Sequence, residues 1–306
     1  KKFKIGSLMR KKKILFHSNH SRAFTGFGKN AKNILQHLVK TGKYDVVEVC
    51  NGLAKSAPQL RTHPWKTLGT LPNDPNLLNQ INQDQGRARM AGYGAELIDE
   101  IIEQEKPDIY IGAEDIWAFN EYTNKYWWNE INCMIWTTLD SLPLLPEAIN
   151  CAPKVKNYYV WASFAEKAMA KIGHDHVKTL RGTVDHANFH PLDTSVKNNL
   201  RAKYNLSTEF IIGFVFRNQL RKSVPNLLDG FKLFLKRNPQ SNAKLLLHTH
   251  WAEGWDIPRF LMEKGIDASQ VLTTYFCPNC GEYEIKPFQG QQQNCRFCGA
   301  QKSQNT

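Results

Sequence analysis

The 306-residue sequence has no apolar run near the roughly 18–20 residues that a transmembrane helix needs. It also lacks a secretory signal, because the basic residues 11–13 precede only Ile14, Leu15 and Phe16 before polar residues resume. No P-loop motif of the form G-x-x-x-x-G-K-[ST] occurs. These absences argue against a membrane-spanning protein, a secreted protein and a P-loop nucleotide hydrolase, and they predict a cytoplasmic location.

Positive charge is abundant but unevenly distributed. Lys and Arg number 40 against 28 Asp and Glu, for a net charge of +12. Residues 1–13 carry seven basic side chains and no acid, residues 14–180 are nearly neutral, and residues 181–306 have a net charge of +6. The second half therefore predicts an anionic partner. Residues 1–13 are either a solvated tail or a contact for an anionic surface.

The seven cysteines fall into two groups. Cys50, Cys133 and Cys151 stand in apolar surroundings and predict small core residues. The other four form two C-x2-C pairs separated by 14 residues, with a glycine after each pair: Cys277, Cys280, Cys295 and Cys298. This spacing is typical of a tetrahedral four-thiolate zinc site in a reduced compartment. Such a site is closed, so residues 277–300 predict a structural zinc ribbon inserted in the second domain.

Strand-like and helix-like segments alternate along the chain, which predicts an α/β protein with parallel sheets. The pattern restarts after residue 195, so we expect two doubly wound domains, residues 12–180 and 194–276. We also expect continuous helices over 88–105 and 116–129, whereas residues 53–85 carry no assignable pattern. The second domain supplies three strands and two helices before the chain ends in polar residues. An open sheet usually needs more, which predicts an incomplete domain and a fragment of a longer protein.

A glycine-rich loop follows the first strand: Thr25-Gly26-Phe27-Gly28 opens a helix. The spacing of the motif and of Glu48 matches the sequence pattern of the dinucleotide-binding fingerprint. The geometry does not fit, because nine residues separate the strand from the first glycine, whereas the fingerprint needs a tight turn there. The loop is therefore either a wall over a ligand held elsewhere or a structural turn.

Three cations lie within six residues at the end of the first strand of the second domain: Arg217, Arg221 and Lys222. The carboxyl ends of parallel strands face the ligand crevice in open α/β sheets. Arg and Lys there suit a diphosphate, although a solvated loop has the same composition. His250 ends a later strand and either contacts a nucleotide or only packs.

The segment Gly182-Thr183-Val184-Asp185…Phe189…Pro191 resembles the G-V-D-x-x-x-F-x-P linker of retaining GT-B glycosyltransferases of the family-four type, with Thr183 inserted. Arg217 and Lys222 match the Arg and Lys of that family's G-R-x-x-x-x-K donor loop, where Phe216 replaces the glycine. The first strand, the glycine-rich loop and the following helix are similar as well. The resemblance covers roughly residues 12–275.

The resemblance implies two Rossmann-like domains, an N-terminal one for the acceptor and a C-terminal one for a nucleotide-diphosphate sugar. The sugar would be transferred with retention of configuration and without a catalytic metal, because cations neutralise the departing diphosphate. The residues it implies for the donor are Gly26, Phe27, Gly28, Arg217, Arg221, Lys222 and His250. Arg217 and Lys222 would also stabilise the transition state.

The sequence departs from the family pattern at two places. Leu139 stands where the family often has His, although Asp140 is kept as a candidate for orienting the acceptor or the sugar, or as a loop cap. Glu114 and Asp115 end another strand and form a second acidic candidate. The family's E-x7-E segment is absent from the sequence, so we expect this polypeptide to be inactive alone.

Two other classes of function remain open. The basic first residues, the basic second half and the ribbon also fit a nucleic-acid-binding protein, although the aromatic residues fall in apolar strands rather than between basic residues. A sugar transferase with a glycan, lipid, protein or nucleic-acid acceptor, or a non-catalytic partner-binding protein, fits the same residues.

Overall fold

The computed structural model describes residues 10–306, and its contacts divide the chain into two compact units, residues 1–190 and 191–306. Lys1, Lys2 and Lys4 of the basic segment lie outside the described residues. Arg10 Nη2 donates to Asp108 Oδ1 at 2.6 Å, so part of the charge of this segment is paired within the first unit.

The first unit contains a seven-stranded, fully parallel sheet in the order β3-β2-β1-β4-β5-β6-β7. Its strands are β1 (Lys12–Asn19), β2 (Tyr44–Ala54), β3 (Lys66–Leu71), β4 (Ile109–Ala113), β5 (Asn132–Thr137), β6 (Asn157–Val160) and β7 (Lys178–Thr179). Its α-helices are α1 (Gly26–Lys40), α2 (Pro75–Asn82), α3 (Gln85–Gly92), α4 (Ile98–Glu105), α5 (Pro146–Cys151) and α6 (Ser163–Lys171).

Both faces of this sheet are covered. Leu15 packs into a core with Ile98 and Ile101 of α4, whereas its neighbour Phe16 packs into a separate core with Ala31 and Leu35 of α1. Because successive side chains of a strand point to opposite faces, the two cores lie on opposite sides of the sheet. The doubly wound arrangement that the alternating sequence pattern predicts is present here.

The second unit has three parallel strands followed by an antiparallel addition. Its strands are β8 (Phe210–Val215), β9 (Ala243–His248), β10 (Val271–Phe276), β11 (Tyr283–Pro287), β12 (Gln292–Gln293) and β13 (Ser303–Asn305). Its α-helices are α7 (Thr194–Lys203), α8 (Val224–Arg237) and α9 (Ile257–Glu263). The strands β11 and β13 both pair with β10 in the antiparallel sense, so the cysteine-bearing segment extends the sheet of this unit.

Two sequence-based expectations for local structure are wrong. The continuous helix over 88–105 is two helices, because Gly94 takes a φ of +94° and its backbone packs against Tyr122 and His17, where a Cβ would clash. Residues 116–129 form three short 3-10 turns. The unassigned residues 53–85 include β3 and α2, and the polar C-terminal residues form β13. None of the helices in the described range 10–306 combines the length and apolar character needed to cross a bilayer.

Candidate functional site

The glycine-rich loop is held by caps and close packing. Thr25 caps α1, its Oγ1 accepting from the backbone N–H of Gly28 at 3.0 Å. A Cβ on Gly28 would lie 2.5 Å from the Ala23 carbonyl oxygen, so only glycine fits there, whereas a Cβ on Gly26 would meet nothing within 4 Å. Phe27 packs edge-on against Trp161 with ring centroids 5.3 Å apart. Packing within the first unit therefore explains why residue 28 is a glycine, but it does not explain why residue 26 is one.

Glu48, the acidic residue of the apparent dinucleotide-binding fingerprint, is buried and fully engaged in hydrogen bonds within the first unit. Its carboxylate accepts from Ser21 N at 2.7 Å, from Ser21 Oγ at 3.0 Å and from Trp65 Nε1 at 2.6 Å. His20 and Cys50 place donor atoms within 4.8 Å of it, a spacing that a metal could bridge. The three hydrogen bonds already give Glu48 a structural role, which is to hold the loop after β1 against the segment before β3.

A series of hydrogen-bonded polar side chains connects β1, β2 and β4; His17, Tyr110 and Glu114 are buried and Asn51 is half-buried. Asn51 Nδ2 donates to Glu114 Oε2 at 2.9 Å, so Asn51 Oδ1 accepts, at 2.8 Å, from Nε2 of His17. Nδ1 of His17 is then the acceptor for the Tyr110 hydroxyl, also at 2.8 Å. Of these residues only Glu114 was a candidate from the sequence, because the types and positions of His17, Asn51 and Tyr110 form no distinctive spacing.

Burial shifts two members of this hydrogen-bonded series, Glu114 and His17, toward their neutral forms. It raises the pKa of Glu114 to about 7, with a further contribution from the nearby charge of Asp115, and it lowers the pKa of His17 to about 4. Glu114 therefore exchanges a proton near neutral pH at the strand ends, where ligands bind in open α/β sheets.

Asp140 and Asp115 line a small pocket of about 210 Å³, together with Trp117, Thr138 and Leu139. Asp115 directly follows Glu114 in the sequence, so the pocket adjoins the hydrogen-bonded series described above. Thr138 Oγ1 donates to Asp115 Oδ1 at 2.7 Å, which orients that carboxylate. Asp140 is exposed and forms no ion pair with any described residue. Leu139, at the position of the family's His, is buried in the core. The pocket thus brings together two of the acidic candidates.

In the second unit, Asn218 joins the basic loop to the segment before α9. Its Nδ2 donates to the carbonyl oxygens of Glu253 and Trp255, and its Oδ1 accepts from Trp255 N at 3.1 Å. A Cβ on Gly254, whose φ is +62°, would clash with the Asn218 carbonyl, so the two loops approach closely only with glycine there. The basic loop is therefore fixed at its centre.

The three cations of this loop have different surroundings. Arg217 Nε donates to Glu253 Oε2 at 3.1 Å. Lys222 ends a 3-10 turn before Ser223, and neither it nor Arg221 pairs with a carboxylate among residues 10–306. His250 lies exposed just beyond the end of β9, and His248 bonds to Thr274 Oγ1 at 2.7 Å. Arg221 and Lys222 are thus the cations that internal pairing leaves available.

The linker segment is anchored to α1. Asn30 Oδ1 accepts from the backbone N–H of Thr183 at 2.8 Å and from its Oγ1 at 2.9 Å, and Asn33 Nδ2 donates to the same Oγ1 at 3.1 Å. Thr183 is the residue that departs from the family's linker pattern. Its hydroxyl and amide make the contact that positions the start of the linker within the first unit.

The four late cysteines converge. Cys277 Sγ lies 3.7 Å from Cys298 Sγ, and Cys280 Sγ lies 3.6 Å from Cys295 Sγ. A tetrahedron with bonds of about 2.3 Å to zinc has S···S edges of about 3.8 Å, so the thiols stand close to ligating distance.

The two cysteine pairs have the same backbone. Gly281 N donates to Cys277 O at 2.8 Å, and Gly299 N donates to Cys295 O at 2.8 Å. The two glycines have φ values of +75° and +73°. The matched turns bring the four thiols within 4.8 Å of one another, close enough to hold a metal ion. The remaining three cysteines, Cys50, Cys133 and Cys151, are buried as expected.

Comparison with solved structures identifies the fold. The catalytic domain of starch synthase IV from Arabidopsis thaliana, bound to ADP and acarbose, is 13% identical, with a TM-score of 0.50 over 84% of this chain and 71% of its own. The E. coli trehalose-6-phosphate structure bound with UDP-2-fluoro glucose is 12% identical, with a TM-score of 0.50 over 83% and 69%. The N-terminal domain of Candida albicans trehalose-6-phosphate phosphatase is 14% identical, with a TM-score of 0.51 over 87% and 72%.

These neighbours and the parallel α/β sheets show that the chain has the GT-B fold. The predicted fold class is confirmed. At these identities the likeness concerns the fold alone. No protein-family profile matches the sequence, and no curated protein is similar to it at a significant level.

Proposed function

We propose that this chain is a glycosyltransferase of the retaining, family-four type that takes its sugar from a nucleotide-diphosphate sugar. The observation that carries the proposal is the basic loop after β8, fixed by Asn218, with Arg221 and Lys222 left without carboxylate partners among the described residues. The two neighbours bound to ADP and to UDP-2-fluoro glucose share the fold and make such a donor a natural ligand.

In this proposal the cations act on the leaving diphosphate. Charge builds on the diphosphate as the anomeric C–O bond breaks, so Lys222 and Arg217 stabilise the transition state more than the bound donor. The ion pair of Arg217 with Glu253 orients its guanidinium. His250, exposed just beyond the end of β9, is proposed for a nucleotide contact. Gly26, Phe27 and Gly28 remain proposed donor contacts from the resemblance. No catalytic metal is needed for this chemistry.

The acidic residues of the first unit are proposed to serve the acceptor. Asp140 is exposed in its pocket and can accept a hydrogen bond from an acceptor hydroxyl, and Asp115 shares that pocket. Glu114, with a pKa raised to about 7 by burial, is suited to hold or release a proton at neutral pH.

The four thiols are proposed to bind one structural zinc ion. The S···S distances of 3.6 and 3.7 Å and the matched turns fit four thiolates, which leave no open position for catalysis. A thiolate site and three further unpaired cysteines fit a reduced compartment, so we propose a cytoplasmic location.

The test is thermal stabilisation by a panel of UDP-, GDP- and ADP-sugars. We expect one of them to raise the Tm of the wild-type protein, and we expect Lys222→Ala and Arg217→Ala to abolish the rise. Lys236→Ala, an exposed lysine in the last turn of α8, is the matched control and should keep it. If no sugar nucleotide stabilises the protein, or if Lys222→Ala retains the full rise in Tm, the proposed donor site is wrong.

A further inference from the structure

A pocket of about 610 Å³ opens beside the first turns of α1 in the first unit. Arg22, Lys29 and Lys32 line it, and Phe24 and Trp65 contribute apolar walls. None of the described residues that line this pocket is acidic. The pocket therefore combines positive charge with aromatic surface.

A second pocket of about 320 Å³ lies on the other side of the same two lysines. Lys29 and Lys32 line it as well, and Phe189 forms part of its wall. Its one acidic lining residue among those described, Asp185, accepts from Asn188 Nδ2 at 2.6 Å and from Ala187 N at 3.0 Å. Lys29 and Lys32 thus form a ridge between two neighbouring hollows, which we call the lysine ridge.

Aromatic rings stand exposed on both sides of the lysine ridge. Phe24 is 96% exposed and Phe189 is 67% exposed, unusual values for such large apolar side chains. Their exposure means that each ring has a face open to a planar ligand. This finding overturns the expectation that the basic residues lack aromatic residues between them.

The surroundings of the ridge are held in place before any ligand arrives. Lys29 and Lys32 are three residues apart on one helix, so their side chains project from the same face. The loop carrying Phe24 is tied through Ser21 to the buried Glu48. The segment leading to Phe189 is tied through Thr183 to Asn30. Such preorganisation lowers the ordering cost of binding.

We propose that the first unit binds a single strand of nucleic acid across the lysine ridge, with phosphates on Lys29 and Lys32 and bases stacked on Phe24 and Phe189. Proteins that bind single strands combine a basic track for the backbone with exposed aromatic rings for successive bases. In a duplex the faces of the bases are stacked on one another, so the two rings would find no partner there. A small sugar phosphate would fill only one of the two hollows, whereas a single strand can cross the ridge and occupy both.

If the proposed function holds, the bound strand is the acceptor of the sugar. Only this acceptor role rests on the proposed function; the binding of the strand does not. Binding itself requires no sugar nucleotide, so the two proposals fail separately. Loss of stabilisation by sugar nucleotides with intact strand binding would refute the transferase. The opposite result would refute the strand site.

The experiment measures the affinity of the full chain for labelled oligothymidylate by fluorescence anisotropy over a series of salt concentrations. For the double variant Lys29→Ala/Lys32→Ala we expect weaker binding and a salt slope smaller by about 1.4, since each phosphate contact on a single strand contributes about 0.7. For Phe24→Ala we expect binding weakened about 5- to 150-fold with the salt slope unchanged, because one stacked base is lost. Lys40→Ala/Lys43→Ala, near the far end of α1, is the matched control and should bind as wild type does.

Three outcomes would overturn the proposal. Equal effects of the ridge variant and the Lys40/Lys43 control would mean that binding is general electrostatics. Full competition by glucose 6-phosphate or inorganic phosphate at the concentration of the oligonucleotide phosphates would make this a site for small anions. Equally tight binding of duplex DNA that survives Phe24→Ala would exclude stacking of unpaired bases.

Discussion

At the scale of single residues, Asn51 connects two buried groups, Glu114 and His17, whose pKa values shift in opposite directions. Both shifts favour the neutral form of the group. Burial raises the pKa of Glu114 to about 7 and lowers the pKa of His17 to about 4, so both are neutral at mildly acidic pH. The neutral forms also satisfy the hydrogen bonds through the Asn51 amide. Both groups are therefore neutral in the folded protein between about pH 4 and pH 7.

Glu114→Gln should change how the stability of the protein depends on pH. A native pKa above the value of 4.5 for an unperturbed Glu means that the folded state binds more protons between those two values, so the stability from Glu114 falls as pH rises toward 7. A pKa difference of one between the folded and unfolded states corresponds to about 1.4 kcal/mol, so relative to wild type the variant should gain up to about 3 kcal/mol between pH 5 and pH 8. Urea unfolding at several pH values measures this.

The control for this experiment is Glu130→Gln, which replaces an exposed carboxylate just before β5. Its stability difference from wild type should not vary with pH. A difference for Glu114→Gln that is equally constant would contradict the buried, proton-binding state of Glu114. His17 contributes in the opposite sense, because its depressed pKa makes stability fall as pH drops from about 6.5 toward 4.

At the scale of secondary structure, β10 joins the parallel core of the second unit to the cysteine ribbon. It pairs with β9 in the parallel sense and with β11 and β13 in the antiparallel sense. Cys277 follows β10 directly, and Asn305 of β13 donates to Thr273 Oγ1 and Thr274 O at 2.9 and 3.1 Å. A metal bound by the four cysteines would therefore stabilise the central sheet of the unit.

Removing the metal should destabilise the second unit. We expect reduced wild-type protein to contain one zinc ion per chain, and Cys280→Ser or a strong chelator to remove it. A loss of about 1 kcal/mol shifts the Tm by roughly 4–8 °C for a domain of 60–100 residues and by roughly 2–4 °C for one of 150–250 residues. The second unit lies between these sizes, and a structural zinc contributes several kcal/mol, so the Tm of this unit should fall by more than about 5 °C. Elemental analysis and calorimetry measure the two quantities.

Cys133→Ala is the matched control, since Cys133 is buried in the first unit and lies outside the cluster. It should retain the zinc, and any loss of stability should appear in the first unit. Full zinc content in Cys280→Ser, or no zinc in reduced wild-type protein, would refute the four-thiolate site.

At the scale of the whole molecule, each unit has its own hydrophobic core. The two clusters around β1 draw all their buried residues from the first unit, and the cluster around Leu245 and Phe231 draws all of its residues from the second. A domain with its own core can fold alone.

Residues 1–190, expressed alone, should therefore fold. We expect a single cooperative thermal transition, followed by circular dichroism, because the seven-stranded sheet and its two cores are complete within this range. Leu15→Asp places an unpaired charge in one core and should abolish the transition. If the wild-type fragment also lacks a cooperative transition, the first unit depends on the second for its stability.

The features that the sequence by itself determined are those that depend on neighbours along the chain. The alternation of apolar strands and amphipathic helices specified two α/β units. The spacing of the paired cysteines and their glycines specified two matched turns. The basic loop of Arg221 and Lys222 follows a strand in the sequence, so its place at the carboxyl end of β8 was also predictable.

Tertiary structure decided what depends on residues far apart in the chain. His17, Asn51 and Glu114 meet only because β1 lies between β2 and β4 in a parallel sheet, a pairing that no local pattern encodes. The break at Gly94 depends on contacts with His17 and Tyr122, and the exposure of Phe24 and Phe189 depends on what the rest of the unit leaves uncovered. Burial, pKa and pocket shape are set by these distant contacts, because the free energy of a side chain follows its surroundings in space and not its neighbours in sequence.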